Sequence, residues 1–506
     1  MTLKGSINAS KFIAFATALT AGACYVIFRF KDRRNRERRG ATSPATKLLY
    51  KYKQQLTLTP SQITKLDSEL QGQIRAGLKA EITTNGLHML MLPTCVSQIP
   101  NGEETGDIYA IDVGGTNFRV KYVRLSAEKS KIESEENFEA PIPKDVMTGT
   151  GSALFDFIAT RTLNFIMAHE GGQSLEPPLV GFCFSFAIKQ LSFNRGILLD
   201  WTKGFTCSDV IGHDPVQLLH EAFERAGRQC RVMALLNDTV GVLSAHRYLD
   251  QNTCVGIIIG TGTNAAYVEK IGSVKKWSAG PDVDPNAHTI INTEWGAFDS
   301  SSLPRCEEDW EVDAATIHKG KYLFEKLLSG MYIGDVARRI LLRMARDPSC
   351  ILFGSKASSD PLIPVALTTK EGFPTSALAK VVEDPGMRPE TMARILGVAT
   401  MSVEACDVVS QVCHLVAERS AQLIALALCA ILRHTGWVQN PEGPLTVAFD
   451  GGMYEQFAAY RTMIRKAVDE FLGASLGAKI TLELVHDGSC VGAAVLAAAA
   501  TLEHQN

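Results

Sequence analysis

Four short segments of this chain carry residue types that could do chemistry. The first, Asp112-Val-Gly-Gly-Thr-Asn-Phe-Arg119, sets a carboxylate, two glycines and a guanidinium close together. Glycine at a turn lets backbone N–H groups face an anion with no Cβ in the way, which suits a phosphate cradle. Gly260-Thr-Gly-Thr-Asn264 repeats that form further on. The third segment, Asn237-Asp-Thr-Val240, puts a carboxylate beside an amide and a hydroxyl; by itself it reads as a turn or a helix N-cap. The fourth pairs Val180-Gly-Phe-Cys-Phe-Ser-Phe186 with Trp201-Thr-Lys-Gly-Phe205. A lysine beside an aromatic is ordinarily a snorkelling surface residue. Taken singly, each glycine hairpin also reads as a plain turn.

The elements that must position these segments are legible around them. Asp107-Ile-Tyr-Ala-Ile-Asp-Val breaks at Gly114-Gly115 and resumes as Phe118 to Leu125, which predicts strand, tight turn and strand. Val255 to Ile259, the Gly/Thr turn and Ala265 to Glu269 form a second unit of the same kind. From Ser61 the spacing Ile63, Leu66, Leu70, Ile74, Leu78, Ile82 is helical. Val403 to Leu432 reads as a long buried helix, and Leu445 to Phe449 as a strand running into Asp450-Gly451-Gly452. The Ala-rich stretch Val491 to Leu502 is a good helix by propensity, with Ser489 at its start, where free N–H groups could face an anion. Residues 348–389 read as irregular. The two echoing hairpins and the alternation of strands and helices predict a duplicated α/β architecture.

Bulk properties exclude some partners. With 506 residues and a net charge of −3, the chain has material for two or three domains and no basic surplus for nucleic acid. Its 12 cysteines are scattered. Cys183, Cys254 and Cys429 sit in apolar runs, so a reducing compartment is expected for the folded part.

The N-terminus is a different material. Phe12 to Phe28 is almost wholly apolar or small, and as a helix it would be about 25 Å long, enough for a thin bilayer. Arg29, Lys31, Arg33, Arg34, Arg36, Arg38 and Arg39 follow, against only Asp32 and Glu37. This predicts a membrane anchor over 1–40, contacting lipid through residues 12–28, with its basic flank and the body of the protein in the cytosol. Ala21-Gly22-Ala23 also fits a signal-cleavage site, but the basic stop disfavours translocation. Gly40 to Pro44 reads as the start of a linker, taken here as 41–60.

Taken together and in order, the four segments resemble the eukaryotic hexokinase and glucokinase family. That family is marked by Gly-Gly-Thr-Asn-Phe-Arg, Phe-Ser-Phe, Trp-Thr-Lys-Gly-Phe, Asn-Asp-Thr and Gly-Thr-Gly-x-Asn. Asn292-Thr-Glu-Trp-Gly-Ala-Phe298 and Phe324-Glu-Lys-Leu-Leu-Ser-Gly-Met-Tyr-Ile-Gly334 look like further family segments. The resemblance covers nearly everything after the first 45 or so residues. It implies an actin-like ATPase (ribonuclease H-like) fold, with a small and a large domain around a cleft. The small domain would be 109–238 with 485–506, and the large domain 61–108 with 239–484.

It also implies ATP-dependent phosphorylation of the 6-hydroxyl of D-hexoses. Ser185, Thr202, Lys203, Asn237, Asp238, Asn264, Glu294 and Glu325 would contact the sugar. A ring of hydroxyls needs acceptors and donors together, because an unpaired buried polar group costs ~1–3 kcal/mol. Asp238 would take the hydroxyl proton, and Lys203 and Arg119 would face the transferring phosphate. Asp112, Gly114, Gly115, Thr116, Asn117 and Thr261 would embrace the phosphates of ATP, with Asp112 the outer partner of Mg²⁺. Gly330, Thr375, Gly451, Gly452 and Ser489 would border the nucleotide. A monomer is expected, anchored at the mitochondrial outer membrane, with plastid and reticulum surfaces as alternatives.

The chain departs from the family pattern in places. Ala187 stands where Phe-Ser-Phe is normally followed by Pro, which predicts a looser loop and modestly weaker sugar binding. Gly488-Ser-Cys-Val-Gly492 replaces Gly-Ser-Gly-x-Gly, and Gly452 and Met331 also differ. Damaged phosphate loops would suit a sugar-binding sensor with weak catalysis. A chaperone or filament protein on the same fold would have no use for Trp-Thr-Lys-Gly-Phe.

Overall fold

The computed structural model describes residues 43–80, 89–96, 99–115, 117–126, 128, 130–171, 176–277, 283–350, 352–353, 363–439 and 443–503. The expected membrane segment 12–28, Ile82 and Thr116 lie outside them. The chain divides into two compact units. One holds the described residues up to Thr57 with Gly334–Val416, and the other Leu58–Ile333 with the residues from Ala417 onward.

The first unit is helical. Most of the stretch expected as a linker, 41–60, is the helix Pro44–Leu56. Its start signal is plain in retrospect: Ser43 caps the Thr46 N–H, Pro44 sits in the first turn, and Leu49, Tyr52 and Leu56 are buried along one face. The stretch 348–389, expected as irregular, contains the helix Thr375–Glu383, which buries Leu378, Val381 and Val382. Its polar and proline-bearing flanks hide that short apolar face from a sequence reading.

The second unit carries two sheets built on one plan. In the first, five strands lie in the order Ile132–Pro141, Asn117–Leu125, Gly106–Val113, Leu179–Phe184, Arg231–Leu236. The first three are antiparallel and the last two join in parallel. In the second, the order is His288–Asn292, Thr263–Lys270, Thr253–Ile259, Leu445–Asp450, Ile480–Leu484, with Leu92–Pro93 added at the edge. With the edge pair Leu92–Pro93 set aside and the strands counted along the chain within each sheet, both read 3-2-1-4-5. This is the duplicated α/β plan that the paired hairpins predicted, and the actin-like, ribonuclease H-like fold that the family resemblance implied.

Each sheet delivers a helix to the same place. The first sheet's last strand runs directly into Asp238–Leu249, and the second's is followed by Gly488–Glu503. The two helices meet backbone to backbone: a Cβ on Gly492 would drive into the carbonyl of Gly241. Their N-termini therefore open side by side, at the carboxyl ends of the parallel strands, where α/β sheets form their ligand crevices.

The long helix Val403–His434 ends where the apolar run predicted. It is long and apolar enough to cross a membrane, yet 83% of its most apolar window is buried, which marks a core helix. From Ala417 to Leu432 it includes Arg419, fully buried against Asp309. The eleven described cysteines are all buried free thiols.

Candidate active site

The segments singled out in the sequence come together around one cleft of about 270 Å³ in the second unit. Two glycine hairpins form its rim. Asp112 pairs across its hairpin with Arg119, and the Gly114 N–H closes the turn on the Asn117 carbonyl at 3.0 Å. In the second hairpin Asn264 pairs with Ile258, and the Gly260 N–H donates to the Gly262 carbonyl at 2.9 Å.

Aromatic packing explains why two loops with so little regular structure share a wall. Phe186 lies edge-on to Trp201, with ring centroids 4.7 Å apart, and 5.0 Å from Phe205. Trp201 and Phe205 stack at 5.5 Å, and the Trp201 indole N–H donates to the Cys207 carbonyl at 2.9 Å. Ring pairs of this kind fix geometry as well as burying area. They lock the Ser185 and Thr202-Lys203 segments together, so that these residues face the same cavity.

Asn237 is the N-cap of Asp238–Leu249, accepting from the Thr239 N–H at 3.0 Å. Asn237 is thus the helix N-cap, and the same turn presents Asp238 to the cleft. Asp238 at the first helical position accepts from the Thr239 N–H at 2.9 Å through one oxygen and from Lys203 Nζ at 3.2 Å through the other. Lys203 also donates to the Ser185 carbonyl at 3.1 Å. Burial opposes charge on Lys203, but the carboxylates of Asp238 and Glu325 hold its pKa above the ordinary value.

Glu294 and Glu325 complete an acidic wall. Burial, with the charges of Asp238 and Glu325 adding to it, pushes Glu294 up to about 7 against the hydrogen bond from Asn292. Glu325 is likewise raised by burial and accepts the Thr263 N–H at 3.1 Å. That contact needs the glycine at 262, where a Cβ would sit 2.6 Å from Glu325 Oε2. Asn264 donates to Asn292 Oδ1 at 2.7 Å and is itself held by Thr293 Oγ1 at 3.2 Å.

Across the cleft, Asp112 is buried and accepts from Ser489 Oγ at 2.7 Å, with Arg119 Nη1 at 3.8 Å. Burial raises its pKa while the Ser489 hydrogen bond and Arg119 pull it back. Arg119 also lies within 4.0 Å of Asp487 and 3.5 Å of Glu139. Three residues lining the cleft, Lys203, Glu294 and Tyr322, have φ of +56°, +51° and +53°. Bulky side chains in the left-handed region cost energy and persist where surrounding packing holds them, often around ligands.

Some expected residues stand apart. Gly330 lies behind the second hairpin, its N–H donating to the Gly260 carbonyl at 2.9 Å. Gly452 opens the short helix Gly452–Gln456, while Gly451 reaches the cleft. Thr375 belongs to the other unit, where its hydroxyl accepts the Gly334 N–H at 3.0 Å. Ala187 is not in a loose loop: it begins the strand Ala187–Ser192 and pairs with Asp200, so strand pairing fixes its backbone instead of a proline ring. The sequence reading missed Asn292, Tyr322 and the Asp450 side chain. Asp450 accepts the Gly488 N–H at 2.9 Å, and burial pushes its carboxyl up to about 6.

Comparison with known proteins places the whole folded body in one family. Two family models, both described as hexokinase, match residues 48–248 and 254–499. Hexokinase-2 of Oryza sativa subsp. japonica is 38% identical over 467 residues, covering 90% of this chain and 91% of the relative. Hexokinase-1 of Nicotiana tabacum is 37% identical over 465 residues, with 90% and 91% coverage. Among solved structures, a Schistosoma mansoni hexokinase complexed with glucose superposes with a TM-score of 0.78 at 29% identity, covering 90% of this chain and 99% of its own. With both halves of its folded body matched and the whole length of its relatives nearly spanned, this chain belongs to the hexokinase family.

Proposed function

We propose that the cleft transfers the γ-phosphoryl group of ATP to the 6-hydroxyl of a D-hexose, with Asp238 as the general base. The observation that carries this reading is the Lys203–Asp238 pair, 3.2 Å apart at the junction of the acidic wall and the glycine hairpins. A hexose held between Asn237, Asn264, Glu294 and Glu325 finds acceptors for its hydroxyl donors and amides for its oxygens. Ser185 and Thr202 add hydroxyls on the other side. Asp238, already at the mouth of a helix, accepts the proton as the sugar oxygen attacks. Lys203 and Arg119 then meet the charge on the transferring group, since phosphoryl transfer rests on alignment and charge neutralisation. Closure around the sugar would keep water from competing as nucleophile.

The donor set fits a magnesium nucleotide. The glycine hairpins offer N–H groups to phosphate, and Asp112 is a buried carboxylate facing them. Among the described residues no three Asp, Glu, His or Cys side chains converge as a metal cage. Asp112 would therefore hold Mg²⁺ together with phosphate oxygens and water, the ligand set this ion prefers. Bound there, Mg²⁺ supplies neutralisation of the β- and γ-phosphate charge. Gly330 and the Asp450-to-Gly452 turn flank the second hairpin and border the nucleotide in this reading; Thr375 joins them on family resemblance alone. The sensor alternative would need a broken phosphate side, and the Ser489–Asp112 contact speaks against it. A coupled assay for ADP release with glucose tests the reading. Turnover by the Asp238→Ala variant at the unmodified rate would end it.

Residues 12–28 and the basic run after them support an anchor that leaves a monomeric body in the cytosol, at the mitochondrial outer membrane in the first instance. Imaging the chain with and without residues 1–40 tests this; identical distributions would refute it.

A further inference from the structure

Asp200, the residue before Trp201-Thr202-Lys203, was not among the site residues read from the sequence. Three donors converge on it. The Trp201 N–H reaches Oδ1 at 2.9 Å, while Lys321 Nζ and the Tyr322 hydroxyl reach Oδ2 at 3.0 and 3.4 Å. Asp200 ends the strand Arg195–Asp200, whose Leu198 and neighbouring Trp201 belong to the core beneath the first sheet. Lys321 and Tyr322 come from the opposite wall, directly before the helix Leu323–Leu328 that carries Glu325. The contact therefore bridges the segment bearing Lys203 and the segment bearing Glu325, at the edge of the cleft.

The lysine side of this bridge is not a free surface loop. Asp313, buried, accepts the Gly320 N–H at 3.0 and 3.1 Å and Lys326 Nζ at 2.6 Å. Lys326 also donates to the His318 carbonyl at 2.7 Å, and the Lys321 N–H returns to that same carbonyl at 3.1 Å. Two buried charged residues thus pin the turn that presents Lys321 and Tyr322. Tyr322 holds a left-handed φ of +53° and lines the cleft. A strained residue whose hydroxyl points at the opposite wall is what a clamp requires.

We infer that Asp200 is a positioning residue, and that Asp200 with Lys321 and Tyr322 forms a latch that holds the Thr202-Lys203 segment against the Glu325 wall over bound sugar. The inference rests on the hexose-kinase reading of the cleft. Asp200 and Lys321 are not among the residues that line the cleft, so the latch acts on sugar retention more than on the chemical step. Lys321 is half exposed, and a pair of such exposure is worth a factor of about two to five in an equilibrium constant.

The test uses the full chain with Asp200→Asn, Lys321→Met and the double variant. Asn at 200 keeps an acceptor for the Trp201 N–H, and Lys321 is too exposed to be needed for folding. Each single variant should raise the glucose KM about two- to fivefold with kcat within about twofold. The glucose Kd, read from fluorescence of the neighbouring Trp201, should move by the same factor. The double variant should be no worse than the worse single, because both remove one interaction. Intact turnover with unmoved KM and Kd in both singles, or additive losses in the double, overturns the latch alone. Absence of glucose phosphorylation by the unmodified chain is a different result, and it strikes the kinase reading on which the latch rests.

Discussion

Lys203 Nζ stands between two partners, the Asp238 carboxylate at 3.2 Å and the Ser185 carbonyl at 3.1 Å. The same carboxylate takes the Thr239 N–H with its other oxygen. Asp238 is thus oriented by a helix terminus on one side and a cation on the other, with one edge left toward the cleft. Asp238→Asn keeps the shape and the Thr239 hydrogen bond but loses the proton acceptor. It should lower kcat by about 10²- to 10⁴-fold, the usual worth of a general base. Sugar binding by tryptophan fluorescence should stay within a few-fold. Steady-state assays beside that titration separate the two effects, and a proportional loss of both would argue for a binding role alone.

Gly262 lies where the second hairpin passes the Glu325 carboxylate. A methyl group there would meet Glu325 Oε2 at 2.6 Å and lie 3.6 Å from Lys203 Cε. The carboxylate is the movable partner, so Gly262→Ala should displace it from the Thr263 N–H without unfolding the sheet. Losing a buried hydrogen bond to a charged acceptor costs ~1.5–3 kcal/mol. The expectation is a drop in kcat/KM for glucose of at least tenfold, with a melting temperature shifted by only a few degrees. Unchanged kinetics would mean that Glu325 does not need its present seat.

Much of this site is legible in the sequence alone, for a physical reason. Residues that hold phosphates or cap helices sit on short local motifs, and β-branched runs broken by glycine announce their own hairpins. Asn237 shows the limit of that reading, since only the structure reveals that one turn is both cap and cleft wall. Asn292 lies in a segment noted for its resemblance, but its bond from Asn264, like the contact between Tyr322 and Asp200, joins segments distant in sequence and has no local pattern. The helix Pro44–Leu56 hides for a different reason: small polar residues lead into its Ser43-Pro44 start and give that stretch the composition of a linker. The backbone at Ala187 differs from the expected loose loop because a substitution pattern cannot tell a loop from a paired strand.

In the proposed site Glu294, its carboxyl pushed up to about 7 by burial, would make sugar binding a proton-linked event. Below that value the free enzyme carries the acid, and a hydroxyl-donating ligand favours the carboxylate. Glucose binding at pH 6 should therefore release a proton, a release that fades by pH 8. KM should fall as pH rises across that window. Calorimetry in buffers of different ionisation enthalpy reads the released proton directly. The same shift acts on stability with the opposite face: a folded pKa above the unfolded 4.5 means the unfolded chain ionises first, so stability is lost as pH rises toward 7. Glu294→Gln should accordingly raise the melting temperature of the sugar-free protein at pH 8 and leave it unmoved near pH 4.

Arg419 and Asp309 make the most deeply buried ion pair described in the second unit, with side chains 0% and 5% exposed. The geometry is bidentate, at 2.6 and 2.9 Å, and the guanidinium also reaches the Pro304 carbonyl at 3.0 Å. Asp309 in turn accepts the Cys306 N–H at 2.8 Å, so the pair ties the long core helix to the elbow that follows the Glu294 segment. Arg419→Met fits the space roughly but strands a buried carboxylate, and breaking such a pair costs ~3–5 kcal/mol. The urea midpoint should fall accordingly, with the slope of the transition unchanged. Adding Asp309→Leu removes the stranded charge and should recover part of the loss. Recovery would stay incomplete, because the Cys306 N–H and the Pro304 carbonyl then lack their partners. A full recovery in the double variant would show that the pair gives this elbow no net stability, whereas no recovery at all would place the cost in packing and not in charge.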